Sequence, residues 1–150
     1  MPLKVEHINP PELYRHPSFT RVVTVSGPMR LVFVAGQTPT DEQYRVVAPG
    51  DYRAQYRQVM ENLDVQLKAA GATWGDVVYR RVFTLDVDAL IAALRAESGA
   101  GEWGQGPPPG STLIGVTRLS DPEALVEIDL LAAVEAGDQS SGGGAPDGSA

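Results

Sequence analysis

The sequence predicts an α+β domain in which a mixed β-sheet carries two helices on one face. Short segments rich in β-branched and aromatic residues alternate with two segments whose apolar residues recur at helical spacing. Along the chain the order is three strands, a long helix, a strand, a short helix and two strands, which departs from strict βα alternation. Because two helices cannot cover both faces of such a sheet, we expect the other face to be buried by oligomerisation.

The composition limits the classes of function. A chain of 150 residues has the length of one domain, and we expect a single domain over residues 1–136 followed by a disordered Gly/Ser-rich tail over 137–150. Cysteine is absent, which excludes disulfides and thiolate chemistry. The net charge of −7 disfavours nucleic acid as a partner. With no secretory signal pattern and no apolar stretch near the roughly 20 residues that span a bilayer, we expect a soluble cytoplasmic protein without membrane contact.

The N-terminal part contains the first three predicted strands. Leu3–Ile8 alternates loosely and predicts a short edge strand, and Phe19–Ser26 is rich in β-branched residues. Leu31–Ala35 has no polar residue, so we expect a central strand that is covered on both faces. The polar segment 39–50 is expected to be a loop.

The middle of the chain contains both predicted helices. Asp51 stands at the N-cap position of a long amphipathic helix that ends at Gly71, and its apolar stripe is typical of a helix packed on a sheet. Val77–Leu85 predicts the next strand, and Asp86–Glu97 predicts a second, shorter helix. The segment 98–109 is rich in glycine and proline and predicts a loop.

The C-terminal part is predicted to form a β-hairpin. Ser111–Leu119 and Ala124–Val134 have strand patterns and flank a turn at residues 120–122. In the second strand Glu127 and Asp129 alternate with apolar residues, so both carboxylates lie on one face. A carboxylate in such an apolar strand faces water, meets a partner or has a raised pKa. The third possibility makes Glu127 a candidate general acid and base.

Several segments together resemble the Rid family, which is also described as YjgF or endoribonuclease L-PSP. They are LVFVAGQTP at 31–39, QVMENLDVQLKAAGATWGDVV at 58–78, VFTLD at 82–86, PPGSTLIGVTRL at 108–119 and LVEIDLLAAV at 125–134. The resemblance implies a chorismate-mutase-like α+β fold, assembled as a homotrimer with a pocket at each subunit interface. It also implies an imine deaminase, a hydrolase that converts reactive enamines or imines to a ketone or keto acid and ammonia without a cofactor.

The resemblance also implies site residues. Glu127 matches the family glutamate that orders the attacking water, Phe19 falls where an aromatic residue lines the pocket, and Gly36 matches a glycine beside the pocket. The arginine that grips the substrate carboxylate in the family is replaced by Ser111. Ser111 and Thr112 either hold a ligand carbonyl or are ordinary hydroxyls at the start of a strand.

The missing arginine leaves three possibilities, because a serine offers one neutral donor where arginine offers two charge-assisted hydrogen bonds. The small-molecule substrate carries no carboxylate, another arginine among Arg21, Arg80 and Arg95 takes over, or the deaminase activity is absent. The last possibility makes a non-catalytic, small-molecule-binding or protein-stabilising trimer the alternative function.

A ribonuclease is disfavoured by the acidic charge. His7 and His16 are too few for a metal site, and we expect no metal.

Overall fold

A computed structural model describes residues 1–97 and 106–137 of the chain. Most of the predicted loop 98–109 and nearly all of the predicted tail lie outside these described residues. The strands are β1 Lys4–Ile8, β2 Val22–Ser26, β3 Met29–Gln37, β4 Val77–Thr84, β5 Gly110–Gly115 and β6 Val126–Glu135. The helices are α1 Tyr52–Ala69 and α2 Val87–Ala96, and a 3-10 turn, Trp74–Asp76, precedes β4. The predicted order of strands and helices is confirmed.

The last four strands of the chain, β3 to β6, form a mixed sheet in the order β3-β6-β4-β5. The β4–β5 pair is parallel, with α2 between the two strands in the chain, and the other two pairs are antiparallel. Strands β1 and β2 form a separate antiparallel pair. Both helices pack on the same face of the four-stranded sheet. The predicted α+β class, with a mixed sheet and two helices on one face, is therefore confirmed.

The predicted β-hairpin at the C-terminus is wrong. Strand β4 lies between β5 and β6, so β6 pairs with β3 and β4 and makes no ladder with β5. Strand β5 also ends at Gly115, earlier than expected. The reason is burial, since the helix-facing residues of β6 are almost completely inaccessible and the strand therefore takes a central place with a neighbour on each side. The residues of the turn at 120–122 do not indicate which strands pair with β6.

Strand β3 was expected to be central and covered on both faces, and this expectation is wrong for the single chain. It lies at the edge of the sheet and pairs only with β6. Val32 and Val34 are buried under the helices, whereas Leu31 and Phe33 on the other face are 48% and 77% exposed. The apolar sequence of β3 thus leaves an uncovered apolar surface.

Local capping starts both helices where the sequence predicts. The Asp51 side chain accepts a hydrogen bond of 3.0 Å from the backbone N–H of Ala54, and Asp86 does the same for Ala89 at 3.0 Å. The buried stripe of α1 packs against the sheet and consists of Gln55, Tyr56, Val59, Leu63 and Leu67. Neither helix within the described residues is long and apolar enough to cross a bilayer.

One buried polar side chain ties α1 to the start of β6. Gln55 is fully buried, and its amide donates to the carbonyls of Ala48 (3.3 Å) and Glu123 (3.0 Å). Its side-chain oxygen accepts from the backbone N–H of Leu125 at 2.8 Å. These bonds satisfy both polar atoms of the fully buried Gln55 side chain. Gln55 therefore holds the segment from which Glu127 projects.

Candidate functional site

The predicted site residues are divided between the two faces of the four-stranded sheet. Glu127 pairs with Phe83 across the β4–β6 ladder, and Ser111 pairs with Arg80 across the β4–β5 ladder. Because side chains alternate along β4, Arg80 and Phe83 point to opposite faces. The helices cover the face of Arg80 and Ser111. We call the other face the open face, formed by Leu31, Phe33, Tyr79, Arg81, Phe83, Glu127, Asp129 and Leu131.

Glu127 lies directly over Gly36 on the open face. The β3–β6 register shifts between Val34 and Gln37, which brings Gly36 beside the carboxylate. A Cβ atom at Gly36 would lie only 2.1 Å from Oε1 of Glu127, so the carboxylate occupies the place that a side chain at position 36 would take. The glycine is therefore required by close approach, and any larger residue would displace the carboxylate.

Glu127 is half-buried, and within residues 1–97 and 106–137 it has no hydrogen bond or ion pair. Burial raises the pKa of its carboxyl group, and the nearby negative charge of Asp129 raises that pKa further. This is the direction expected from its apolar neighbours in the sequence. A carboxyl group with a raised pKa and no partner holds its proton more readily than an ordinary exposed carboxylate and can exchange it with a bound molecule.

Asp129 has a different environment on the same strand. Its two carboxylate oxygens accept hydrogen bonds from Nε of Arg81 at 3.0 and 3.1 Å and from Nη2 at 2.5 Å. The same contact raises the pKa of Arg81. This two-pronged ion pair offsets part of the negative charge of Asp129 and crosses from β6 to β4. Of the two carboxylates that alternate along β6, Glu127 is thus the one without an ion pair among the described residues.

Ser111 and Phe19 lie on the helix side, in a cavity of about 440 Å³ that we call the helix-side cavity. Its polar wall consists of His16, Ser18, Arg80, Arg95 and Ser111, and its apolar wall of Phe19, Tyr56, Val82, Ile91, Leu94 and Leu113. The Phe19 ring stacks on His16 with ring centroids 4.8 Å apart. The backbone N–H of Ser18 donates to Nδ1 of His16 at 3.0 Å, so the other ring nitrogen of neutral His16 carries the proton.

The structure separates the three candidate arginines. Nε of Arg80 donates to Oγ of Ser111 at 3.0 Å, and Arg95 lines the same cavity. Arg21 instead donates to the carbonyl of Tyr14 at 3.1 and 2.8 Å and does not line the cavity. The position of the missing arginine is therefore next to a guanidinium that comes from the neighbouring strand.

Thr112 does not share the cavity with Ser111. Adjacent residues of a strand point to opposite faces, and the Thr112 hydroxyl is hydrogen-bonded to the Tyr79 hydroxyl on the open face. Within one chain, Ser111 and Phe19 therefore form one group, and Glu127 and Gly36 form another on the opposite face.

Sequence reasoning missed His16 as a cavity residue and did not rank Arg80. His16 was considered only as a metal ligand, and in the part of the chain that the structure describes no cluster of three or more His, Asp or Glu side chains could hold a metal ion. The stretch HPSF offers a weak signal, because a histidine three residues before the expected pocket aromatic can stack on it. The pairing of β4 with β5, which brings Arg80 to Ser111, leaves no signal in a single sequence.

A family model described as endoribonuclease L-PSP matches residues 14–134 of the chain. Among its relatives, a RutC family protein of Sulfurisphaera tokodaii is 32% identical over 100 residues, which is 67% of this chain and 77% of the relative. A RutC family protein of Pyrococcus horikoshii is 34% identical over 101 residues, again 67% of this chain and 77% of the relative.

Solved structures have the same fold. A Yersinia pestis protein of the conserved Rid family, YyfB, superposes with a TM-score of 0.76 at 34% identity and covers 87% of this chain and 98% of its own. Escherichia coli TdcF with bound serine superposes with a TM-score of 0.62 at 27% identity and covers 69% of this chain and 80% of its own. The agreement with YyfB extends over nearly its whole chain.

Proposed function

Since this chain belongs to the endoribonuclease L-PSP family, which includes the Rid and RutC proteins, we propose that it hydrolyses imines or enamines of small carbonyl compounds. In this reaction one water adds to the C=N carbon, the C–N bond breaks, and a ketone or keto acid and ammonia are released. No electrons pass to or from another reagent, so proton transfer is the main task of the protein. The serine bound to TdcF is consistent with small ligands derived from amino acids.

The observation that carries this proposal is the placement of Glu127 over Gly36. A carboxyl group with a raised pKa can donate a proton to the imine nitrogen or the enamine carbon and then, as a carboxylate, take a proton from the attacking water. Because Arg81 binds Asp129 and leaves Glu127 without a partner among the described residues, the carboxyl group of Glu127 is available to both substrate and water.

One chain cannot bring Glu127 and the helix-side cavity to the same substrate, because they lie on opposite faces of one sheet. We therefore propose that the open face of one subunit packs against the cavity side of the next, so that two copies complete each pocket. Because the two surfaces lie on opposite sides of one subunit, a head-to-tail contact between them generates a closed ring or an open filament, and a ring of three subunits is the assembly that we propose. The exposure of Phe33 (77%), Leu31 (48%) and Tyr79 (39%) supports a homotrimer that buries this face.

Ammonia release tests the proposed activity. Imines are generated in situ from amino acids or amines by an oxidase, and their decay is compared for the wild-type protein, Glu127→Gln and the control Glu123→Gln, whose carboxylate is exposed. We expect Glu127→Gln to lose about 100-fold to 10,000-fold in kcat/KM, the range for removal of a general acid and base, and Glu123→Gln to keep wild-type activity. Equal activity of Glu127→Gln and wild type would remove Glu127 from the mechanism.

The same assay separates the alternative functions. A non-catalytic trimer would bind a small carbonyl compound saturably and would not accelerate imine decay. The description of the family names an endoribonuclease, but with a net charge of −7 we expect no cleavage when the purified protein is incubated with RNA.

A further inference from the structure

We propose that the helix-side cavity binds an uncharged carbonyl group through two neutral hydrogen-bond donors, the hydroxyl of Ser111 and the Nε2–H of His16. The substrates that this pair selects are imines or enamines with an amide or ester carbonyl in the place where a keto-acid derivative has its carboxylate. This inference rests on the proposed function, because it names the substrate class of the same pocket.

Ser111 has a hydroxyl hydrogen to donate. Its Oγ accepts a hydrogen bond of 3.0 Å from Nε of Arg80, and among the described residues no acceptor takes the hydroxyl hydrogen. A hydroxyl that accepts from a guanidinium is polarised by the positive charge and becomes a stronger donor. Ser111 therefore offers a bound oxygen one neutral hydrogen bond in the cavity.

His16 offers the second donor. The backbone N–H of Ser18 occupies Nδ1, so the proton of the neutral ring is on Nε2, and this N–H has no hydrogen-bond partner in the part of the chain that the structure describes. Two aromatic neighbours hold the ring, since Phe19 stacks on it with centroids 4.8 Å apart and Tyr14 meets it edge to face at 6.3 Å. These contacts orient His16 before a ligand binds.

Arg80 connects the two donors. Its Nε binds Ser111 on β5, and its Nη2 lies 3.5 Å from the backbone carbonyl of Ser18, whose N–H binds His16. Ser111 and His16 both belong to the polar wall of the helix-side cavity. A carbonyl oxygen has two lone pairs, so we infer that it accepts from both donors.

An uncharged group suits this pair of donors better than a carboxylate does. Burial of a carboxylate is costly unless charged donors replace its water, and the two guanidinium groups of the cavity, Arg80 and Arg95, already have interactions within the protein. A neutral carbonyl loses less hydration, and two neutral hydrogen bonds replace it. The aliphatic side chains of Ile91, Leu94 and Leu113 then contact the rest of the molecule.

Isovaleramide and isovalerate are matched probes, because they share one branched tail and differ only in an amide nitrogen against a second carboxylate oxygen. NMR titration at pH 8, above the ordinary histidine pKa of about 6.5, keeps imidazole neutral and the acid ionised. We expect the wild-type protein to bind isovaleramide about threefold to tenfold more tightly than isovalerate. The ring nitrogen signals of His16 should shift when isovaleramide binds, whereas those of His7, which lies on β1 and does not line the cavity, should stay unchanged.

Variants of both residues show whether they bind the probe. Ser111→Ala, and His16→Phe, which keeps a stacked ring, are each expected to weaken isovaleramide binding by about threefold to tenfold. Ser111→Thr keeps a hydroxyl and His16→Gln keeps a side-chain N–H, so these variants should retain more affinity than the variants without a donor. His7→Phe is the matched control and should bind isovaleramide as the wild type does. If one donor variant does not fold, the other variant and the shift of the His16 signals decide the test.

The outcomes distinguish this inference from the proposed function. No preference of the wild type for isovaleramide over isovalerate, or wild-type affinity for isovaleramide in either Ser111→Ala or His16→Phe, would overturn the inference and leave imine hydrolysis unaffected. Isovaleramide binding that depends on both donors, without ammonia release from any imine, would support the inference and refute imine hydrolysis.

Discussion

Replacing Gly36 with alanine tests whether the position of Glu127 matters for function. The added Cβ would lie 2.1 Å from Oε1, 3.1 Å from Cδ and 3.4 Å from Cγ of Glu127. A carbon and an oxygen atom in contact are about 3.3 Å apart, so the carboxylate oxygen must move by about 1.2 Å. Because the clash is with the end of a side chain, Glu127 can rotate away while the backbone stays in place.

Gly36→Ala is expected to change the free energy of unfolding less than it changes the activation free energy of the reaction. Moving one side chain off its preferred rotamer costs about 0.5–1.5 kcal/mol, and alanine regains part of this in a strand, so we expect the free energy of unfolding to change by about 1 kcal/mol or less. A displacement of about 1 Å in a reacting group costs about 100-fold in rate, which is about 2.7 kcal/mol in activation free energy. Gly36→Ala should therefore be a folded protein with little activity.

The measurements are kcat/KM for imine hydrolysis and thermal unfolding of the same preparations. Gly75→Ala is the matched control, because its new Cβ would meet the nearest atom, Oγ1 of Thr73, at an ordinary 3.6 Å. In the Glu127→Gln background, Gly36→Ala should cause little further loss, since the two changes act on one group. Wild-type kcat/KM in folded Gly36→Ala would refute the reasoning that links the glycine, the carboxylate and the reaction.

Three further predictions follow from the open face and the core. Phe33→Glu should reduce the mass measured by analytical ultracentrifugation from that of three chains to that of one. The control Val65→Glu, at an exposed site on α1, should leave the mass unchanged. A wild-type protein with the mass of one chain would contradict the proposed assembly. The melting temperature of Glu127→Gln, measured relative to that of the wild type, should increase as the pH rises. The raised pKa of Glu127 means that this group binds more protons in the folded than in the unfolded protein. Its contribution to stability is therefore greatest below the ordinary pKa of a glutamate, about 4.3, and is lost as pH rises through the raised pKa; a pH-independent difference between the two proteins would argue against this shift. Gln55→Leu should lower the free energy of unfolding in urea by about 2–4 kcal/mol, because it removes three hydrogen bonds of a fully buried side chain, and a loss below about 1 kcal/mol would show that these bonds add little to stability.

Much of the local structure could be predicted because its causes are local. Asp51 caps the first helix at the expected position, and Asp86, the first residue of the predicted second helix, caps that helix, since a short acidic side chain reaches the N–H groups of the first turn whatever the rest of the fold does. The alternation of Glu127 and Asp129 with apolar residues placed both carboxylates on one face of β6 before the partners of that strand were known.

The errors arose where the structure depends on pairing between distant segments. A turn pattern between β5 and β6 suggested a hairpin, but β4 separates the two strands. The apolar run in β3 suggested a strand covered on both sides, and one chain covers only one of them. Both patterns report that apolar surface must be buried, and neither states which segment, or which copy of the chain, buries it.

The sequence by itself determined the strands and helices, the class of fold and the apolar character of the open face, because periodicity and capping act over a few residues. Tertiary structure alone decided that Arg80 stands beside Ser111, 31 positions further along the chain, and that Glu127 lies over Gly36 on the opposite face. Strand register sets these contacts, and it results from the burial of the whole sheet rather than from any one segment.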